Sequence, residues 1–467
     1  MYALILVTPL IVYRYPLGGI NLSLQRVFLL LAVLSAGVAI AHGSRDRRRL
    51  RLMLTSRPVV LALGALASFI VYEVARTGPS QQPDYARRFV GGLVVGFALI
   101  TTIVAVLDSA AKVRAGIVAF VASAVLPVLV GLYQLLAPAL GYAATLPFAG
   151  TLAVDPIFLG TFQADLGGTL VGRIPSTLAA PAFFGEFLVL TITATSALLV
   201  GGRIPRSWTV LAVPGLALAW VALIATVSRS AWLLMAVGLA MLLFHSHREL
   251  RAMISRRPRI WWTAPGLAVV LAIFLLTTTV PTGRLISSSI GSLSPEEANA
   301  PVVPALRSES SGRSGILTLN PPAVSAPGNS SAASTRTHIS LRGDALRVFR
   351  EHPVFGAGLG NLGPALRQPP GVSSAQTYGF TLLAEGGVVG FGLFVLFLGT
   401  VLLPVRQAFL RARGRVMRPY LLALYIGVAL LTLTNVILYD TLFRDTSWVV
   451  LGLAVAAAGS SWRGDRA

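Results

Sequence analysis

The sequence contains no cysteine, which excludes disulfide bonds and thiolate metal sites. Histidine is scarce as well, and none of the five residues has a ligand spacing such as H-E-x-x-H. We therefore expect no metal and no cofactor. Charged residues make up only 12% of the chain, and Lys112 is its one lysine. A chain this poor in charge is too apolar for an ordinary soluble domain.

Long hydrophobic segments take the place of the missing charge. Hydrophobic residues make up 55% of the chain, and its mean hydropathy is +0.76. Because a membrane helix needs roughly 20 apolar residues, we predict an all-α integral membrane protein with about 12 transmembrane helices. The predicted spans are Tyr2 to Tyr13, Ile20 to Ala41, Pro58 to Val74, Phe89 to Leu107, Val113 to Leu136, Ala182 to Val200, Trp208 to Val227, Ala231 to His245, Ile260 to Val280, Thr377 to Leu403, Tyr420 to Leu438 and Thr446 to Ser461.

We interpret the net charge of +21 as an indication of which connections between the helices lie in the cytoplasm. Nucleic-acid binders carry their basic residues on the surface of a soluble fold, whereas these arginines separate apolar segments. The arginine-rich connections at 45–57, 248–259 and 406–418 all fall on one side of the predicted bundle. Because basic residues are retained inside, we predict that both termini lie in the cytoplasm. The preference for arginine over lysine, together with abundant Ala, Gly and Pro, indicates a high-GC bacterial genome, so we predict a bacterial inner-membrane protein.

The predicted spans leave one large extracytoplasmic loop. Residues 1–281 form an N-terminal bundle of about nine helices, 282–376 form the loop, and 377–467 contain the C-terminal helices. Within the loop, residues 294–337 are rich in Ser, Pro, Ala and Asn and are predicted to be disordered. An amphipathic helix follows behind Ser340 as a candidate N-cap, and Pro353 ends it.

Three glycines after this helix, Gly358, Gly360 and Gly363, satisfy the dinucleotide pattern G-x-G-x-x-G. That fingerprint requires a preceding strand and a following helix within a βαβ unit. Here the glycines follow a helix and a proline instead. A flexible loop or close packing is therefore the favoured interpretation.

Several arginines near predicted outer helix ends have two interpretations. Arg229 lies in a tight turn between two spans, where it either reaches lipid headgroups or binds a phosphate. The same alternatives apply to Arg87, Arg88 and Arg173.

The titratable groups of the same side are also open to two interpretations. Glu186 and Glu385 lie inside predicted spans, so each is either a functional carboxylate or a partner of an arginine in the bundle. His338 and His352 in the outer loop are either general bases or solvated residues without a function.

Four segments together resemble the O-antigen ligase and Wzy-type polymerase superfamily of lipid-linked glycan transferases, which are membrane-embedded enzymes of the GT-C type. They are Arg173-Ile174-Pro175-Ser176-Thr177-Leu178, Ser228-Arg229-Ser230-Ala231-Trp232, the stretch from Arg342 to Asn361 with its His-Pro-x-x-Gly-x-Gly, and the stretch from Leu382 to Gly390. Together they cover roughly Arg173 to Thr400.

The resemblance implies an inverting, metal-independent glycosyltransferase. Its donor would be a glycan on undecaprenyl pyrophosphate, and its acceptor a hydroxyl of a glycan or lipid-glycan outside the cytoplasm. Arginine suits the leaving pyrophosphate because its planar fork binds phosphate oxygens in pairs. By this analogy Arg229 and Arg342 or Arg347 hold the pyrophosphate, and Arg173 assists. Ligase and polymerase both remain open.

The chain departs from the family at one position. Many of these ligases carry a His-Asn pair shortly before the acidic residue matched by Glu385, whereas Gln376-Thr377 stands here. A glutamine amide accepts no proton at neutral pH, so another base is needed, such as His338, His352 or an outer carboxylate.

Two further classes stay open on the sequence. The first is a transporter or lipid flippase in which Glu186 and Glu385 carry protons and the arginines guide an anionic substrate. Transporters commonly show two corresponding halves, but the long outer loop has no counterpart in the first half. The second is a noncatalytic assembly partner.

Overall fold

A computed structural model gives the fold of the chain. It describes residues 1–10, 14–17, 20–42, 55–137, 140, 142, 162–165, 170–178, 180–201, 206–256, 331–366, 378–412, 416–438 and 445–464. The predicted ninth span and Gln376 lie outside these residues.

The described chain is built mainly of helices. They are α1 (Tyr2–Val7), α2 (Leu24–His42), α3 (Arg57–Ala75), α4 (Pro83–Val106), α5 (Ala110–Ala122), α6 (Val125–Leu136), α7 (Pro181–Val200), α8 (Arg206–Ala225), α9 (Arg229–Arg256), α10 (Ser331–Glu351), α11 (Leu362–Ala365), α12 (Tyr378–Arg411), α13 (Arg418–Leu433) and α14 (Asp445–Gly464). A 3-10 turn precedes α7 at Ser176–Leu178, and a π-helical turn extends α13 at Thr434–Leu438.

Within the described residues, seven helical segments are long and apolar enough to cross a membrane. They are Arg57–Ala75, Pro83–Val106, Ala110–Leu136, Pro181–Val200, Arg229–His247, Tyr378–Arg411 and Arg418–Ile437. This confirms a multi-pass membrane protein, and three shorter apolar helices accompany the seven. The total of about 12 spans stays a prediction.

Proline at the start of several spans defines where they begin. Pro58, Pro83, Pro181 and Pro419 all occupy the first or second helical position. The ring fixes φ near its helical value, and the missing N–H belongs to a turn that has no helical acceptor for it.

The bundle is centred on α7, which is buried over most of its length and packs against α8, α9 and α13. Helix α12 packs along α3, and α14 packs along α4. In the second pair, Gly96 lies against the indole ring of the buried Trp448.

Two antiparallel hairpins add a small amount of strand that the sequence did not predict. Strand β1 (Arg14–Leu17) pairs with β2 (Ile20–Ser23), and β3 (Phe162–Asp165) pairs with β4 (Leu170–Arg173). Both hairpins lie in connections between helices. The expected all-α class therefore holds for the membrane-spanning segments and not for these connections.

The loop helix also differs from its prediction. Helix α10 begins at Ser331, nine residues before the expected N-cap Ser340, which therefore lies in the helix interior. Residues 331–337, predicted to be disordered, are its first two turns. These turns consist of small and polar residues, so the sequence has no hydrophobic periodicity that would indicate a helix here.

Candidate functional site

Helix α12 is broken in its third turn. Gly387 has φ 62° and ψ −165°, a conformation essentially restricted to glycine. The break leaves backbone groups of α12 without helical partners. Gly387 lies in a segment long and apolar enough to cross a membrane, where unpaired backbone groups are costly.

The loop after α10 supplies those partners. Ala357 N–H donates to the Ala384 carbonyl at 2.9 Å, and Gly358 N–H donates to the Glu385 carbonyl at 3.1 Å. In the reverse direction, Val388 N–H donates to the Pro353 carbonyl at 2.9 Å. The two family segments, 342–361 and 382–390, therefore form one hydrogen-bonded unit.

The glycines of this loop serve close packing. Gly356, Gly358 and Gly360 all have positive φ. A Cβ at Gly356 would collide with the backbone of Glu385, and one at Gly360 would lie 3.0 Å from Ser80 Oγ. Close packing, one of the two interpretations of G-x-G-x-x-G given above, is thus confirmed for Gly358 and Gly360.

Glu385 is buried at 2% exposure and fixes the same loop. Its Oε1 accepts the Leu362 backbone N–H at 3.1 Å, at the start of α11. The sequence suggested an arginine as its partner, and one is present, but Arg76 donates to the main-chain carbonyl of Glu385. A direct catalytic role for Glu385 stays a prediction.

The end of α3 completes this cluster. Tyr72 OH donates to the Gly386 carbonyl at 2.7 Å, and the Arg76 guanidinium lies 5.1 Å from the centre of the Tyr72 ring. Glu73 is fully buried, and neither of its carboxylate oxygens has a hydrogen-bond partner among the described residues. Arg76 supplies the opposite charge that acts on it.

Asn361 joins the loop to the turn after α3. Its Oδ1 accepts the Gln81 N–H at 2.7 Å, and its Nδ2 donates to the Ala357 carbonyl at 2.9 Å. The side chain is buried, so this amide positions both segments.

The other two family segments form a second unit. Arg173 Nε donates to the Thr226 carbonyl at 3.0 Å, which places Arg173 beside the turn that leads to Arg229. Val227 in that turn has φ 48°, an uncommon value for a β-branched residue. Arg229 is exposed at the first residue of α9, and Glu186 is buried next to Gly185, whose backbone packs against the same turn.

The remaining predicted residues lie on α10 or near it. Arg342 is half-buried, 5.8 Å from the centre of the Phe380 ring at the start of α12. Arg347 is exposed and pairs with Asp344 at 2.9 Å. His352 is exposed directly after α10. His338 lies within α10, but its side chain is outside the described residues, as is Gln376.

Arg87 and Arg88 lie on the surface of α4. Both are exposed, and Arg87 pairs with Asp84 at 3.6 Å. Such surface pairs contribute little to stability.

Tyr72, Glu73, Arg76 and Asn361 were missed as site residues. One signal in the sequence could have found two of them. Glu73 is an acidic residue inside a predicted span, the criterion that selected Glu186 and Glu385, and Arg76 follows it by three residues. No cluster of three acidic or histidine side chains suited to a metal occurs in the described part of the chain.

Residues 214–395 match the family model described as O-antigen ligase. The family resemblance is thus confirmed. The matched region includes the Arg229 turn, α10 with its loop and the break in α12, so three of the four segments fall inside it. No curated protein matches the chain.

The glycine conformation at the break predicts a selective effect of an added methyl group. Gly387→Ala should destabilise the protein by about 1–3 kcal/mol because alanine is strained at this φ. Gly392→Ala in the same helix meets no neighbouring atom and should be neutral or slightly stabilising. Thermal unfolding of the two detergent-purified variants checks this, and equal melting temperatures would contradict it.

The Arg76 contacts predict a strong dependence on its charge. Arg76→Met should cost about 1–3 kcal/mol because the Glu385 carbonyl loses its donor and the buried Glu73 loses the opposite charge that acts on it. Adding Glu73→Gln to that variant should recover part of the loss, since the stranded charge is then gone. The melting temperatures of both single variants and the double variant give the coupling, and strictly additive effects would argue against it.

Proposed function

We propose that the protein transfers a glycan from undecaprenyl pyrophosphate to an acceptor hydroxyl on the extracytoplasmic side of the membrane, with inversion and without a metal. The observation that carries this is the O-antigen ligase match over residues 214–395, which contains the Arg229 turn and the loop docked on α12. A membrane protein of this family acts in glycan transfer in general, and the donor, acceptor side and stereochemistry are our proposal.

Arg229 is the proposed main contact to the pyrophosphate. It is exposed at the N-terminal end of α9, where the backbone N–H groups and the helix dipole also favour an anion. As the glycosidic bond to the donor breaks, negative charge grows on the leaving pyrophosphate. A fixed guanidinium stabilises that charge in the transition state more than in the ground state.

Arg173, Arg342 and Arg347 are assigned supporting roles. Arg173 adds positive charge beside the same turn and fixes its backbone through the Thr226 carbonyl. Arg342 and Arg347 both lie on α10. Arg342 lies over the Phe380 ring at the start of α12, and Arg347 is exposed and pairs with Asp344. A common site for all four arginines requires α10 to lie over the lipid-borne pyrophosphate.

His352 is the proposed base for the acceptor hydroxyl in place of the absent family histidine. Its ring is exposed, while its carbonyl accepts the Gly356 N–H at 2.9 Å in the loop held by Glu385. The loop therefore gives an accessible imidazole a fixed backbone position. In this proposal Glu385 acts through the loop, and Gln376 binds the acceptor without taking a proton. His338 stays a second candidate base.

The transporter and flippase alternative gains no support from the family match or from the described helices. Ligase and polymerase remain alternatives within the proposal.

Glycan transfer is measured with the purified full-length chain in lipid, supplied with an undecaprenyl-pyrophosphate glycan and separate candidate acceptors. We expect new glycosidic bonds without added metal or nucleotide sugar. Longer chains on the lipid indicate a polymerase, and glycan leaving the lipid for another acceptor indicates a ligase. Movement of the lipid across the bilayer without new bonds would refute the proposal.

Arg229→Ala should lower transfer by about 100-fold or more, because a cation that stabilises the leaving group acts in the transition state. Arg251→Ala provides the matched control, since Arg251 is exposed near the other end of the same helix. Initial rates are compared at equal amounts of folded, membrane-inserted protein. Near-normal turnover of Arg229→Ala would contradict the proposed role and would indicate that Arg229 only anchors the helix end at the lipid headgroups.

A further inference from the structure

A large apolar cavity lies at the opposite end of α3 and α12 from the cluster at Arg76 and Glu385. Its volume is about 720 Å³, and α3, α12, α13 and α14 contribute to its wall. The wall is formed mainly by aliphatic side chains such as Leu61, Leu396, Leu403 and Leu421. The predicted topology puts this end in the cytoplasmic half of the membrane.

Two arginines mark one end of the cavity. Arg57 is the first residue of α3 and Arg411 is the last residue of α12, so both guanidinium groups belong to the polar boundary of the helices. Gln407 lies one helical turn from Arg411 and lines the cavity too. No carboxylate lines it among the described residues, and its polar end is therefore positively charged.

The cavity has the length of a lipid tail. Its lining residues on α12 extend from Val395 to Arg411, and at about 1.5 Å per residue this stretch rises about 24 Å. One leaflet contributes about half of the roughly 30 Å hydrocarbon thickness. An acyl chain beginning at the two arginines thus remains along the apolar wall for its whole length.

We propose that this cavity binds an anionic glycerophospholipid. Arg57 and Arg411 hold its phosphate through charge-assisted hydrogen bonds, and its acyl chains lie against the aliphatic wall. Basic pockets between membrane helices on the cytoplasmic side are suited to anionic headgroups. In a zwitterionic lipid the ammonium group offsets part of this attraction, so the site selects for net negative charge.

The site connects two helices that also build the cluster around Arg76. A lipid bound to α3 and α12 at one end stabilises their packing, and Tyr72 and Glu385 depend on that packing at the other end. Because a ligand stabilises whichever state binds it, anionic lipid raises the melting temperature of the intact bundle.

The test titrates detergent-purified full-length protein with phosphatidylglycerol or phosphatidylcholine of identical acyl chains and follows bound lipid by native mass spectrometry together with the melting temperature. We expect phosphatidylglycerol to bind about tenfold or more tightly than phosphatidylcholine, because both lipids present a phosphate to the two arginines but the choline ammonium group repels them. Arg57→Gln/Arg411→Gln should remove this preference. Arg406→Gln, on the exposed side of α12 and outside the cavity, should keep it.

A second variant tests the apolar part of the site without altering its charges. Gly399 lines the cavity, and a Cβ added there meets no atom within 4 Å, so the ring of Gly399→Phe should extend into the space and exclude the acyl chain. Gly392→Phe on the same helix is its control. Equal binding of the two lipids by the unmodified protein, or a phosphatidylglycerol preference that persists in both the double arginine variant and Gly399→Phe, overturns the proposal.

Discussion

The rest of the candidate site depends on one constraint, the break of α12 at Gly387. A helix interrupted at membrane depth must have its backbone groups satisfied by other parts of the protein. The loop after α10 provides amides and carbonyls for this purpose, and Arg76 from α3 binds the carbonyl of Glu385. Three parts of the chain that are distant in sequence are thereby held together. The two glycine-rich segments have to be glycine-rich because their backbones approach each other without room for a Cβ.

The titratable side chains near this break hold the helices in position and are shielded from solvent. Glu385 and Glu73 are buried, and Arg76 lies between their two helices. Burying a carboxyl group costs free energy unless its polar atoms are compensated, so the contacts around these two groups favour one arrangement of the helices. The exposed cation at Arg229 contrasts with them. Arg229 follows a strained turn at Val227. Arg173 holds that turn by donating a hydrogen bond to the Thr226 carbonyl. The accessible arginine at the edge of the bundle fits the lipid-borne anion of the proposed function, which approaches from the membrane.

The two ends of the α3 and α12 pair have different chemistry. At one end, hydrogen bonds from Tyr72 and Arg76 to the backbone of α12 join the helices directly. At the other end, both helices line an apolar cavity, and arginines mark its polar boundary. A lipid in that cavity completes the helix pair in the way that the loop completes it at the first end. The membrane then contributes to the architecture of the site as well as surrounding it.

The sequence by itself determined the membrane class, the position of most described spans and the four family segments, because apolar length, arginine placement and short motifs are local properties. It also selected Arg229 and Glu385. Helix α10 began earlier than predicted because its first turns lack an apolar stripe, and the two hairpins carry no strong alternation. The partners of Glu385 were decided only by the tertiary structure. Arg76 lies 309 positions from Glu385, and Asn361 lies 280 positions from Gln81. Local sequence patterns do not indicate such pairs, because the packing of distant helices determines which buried groups meet.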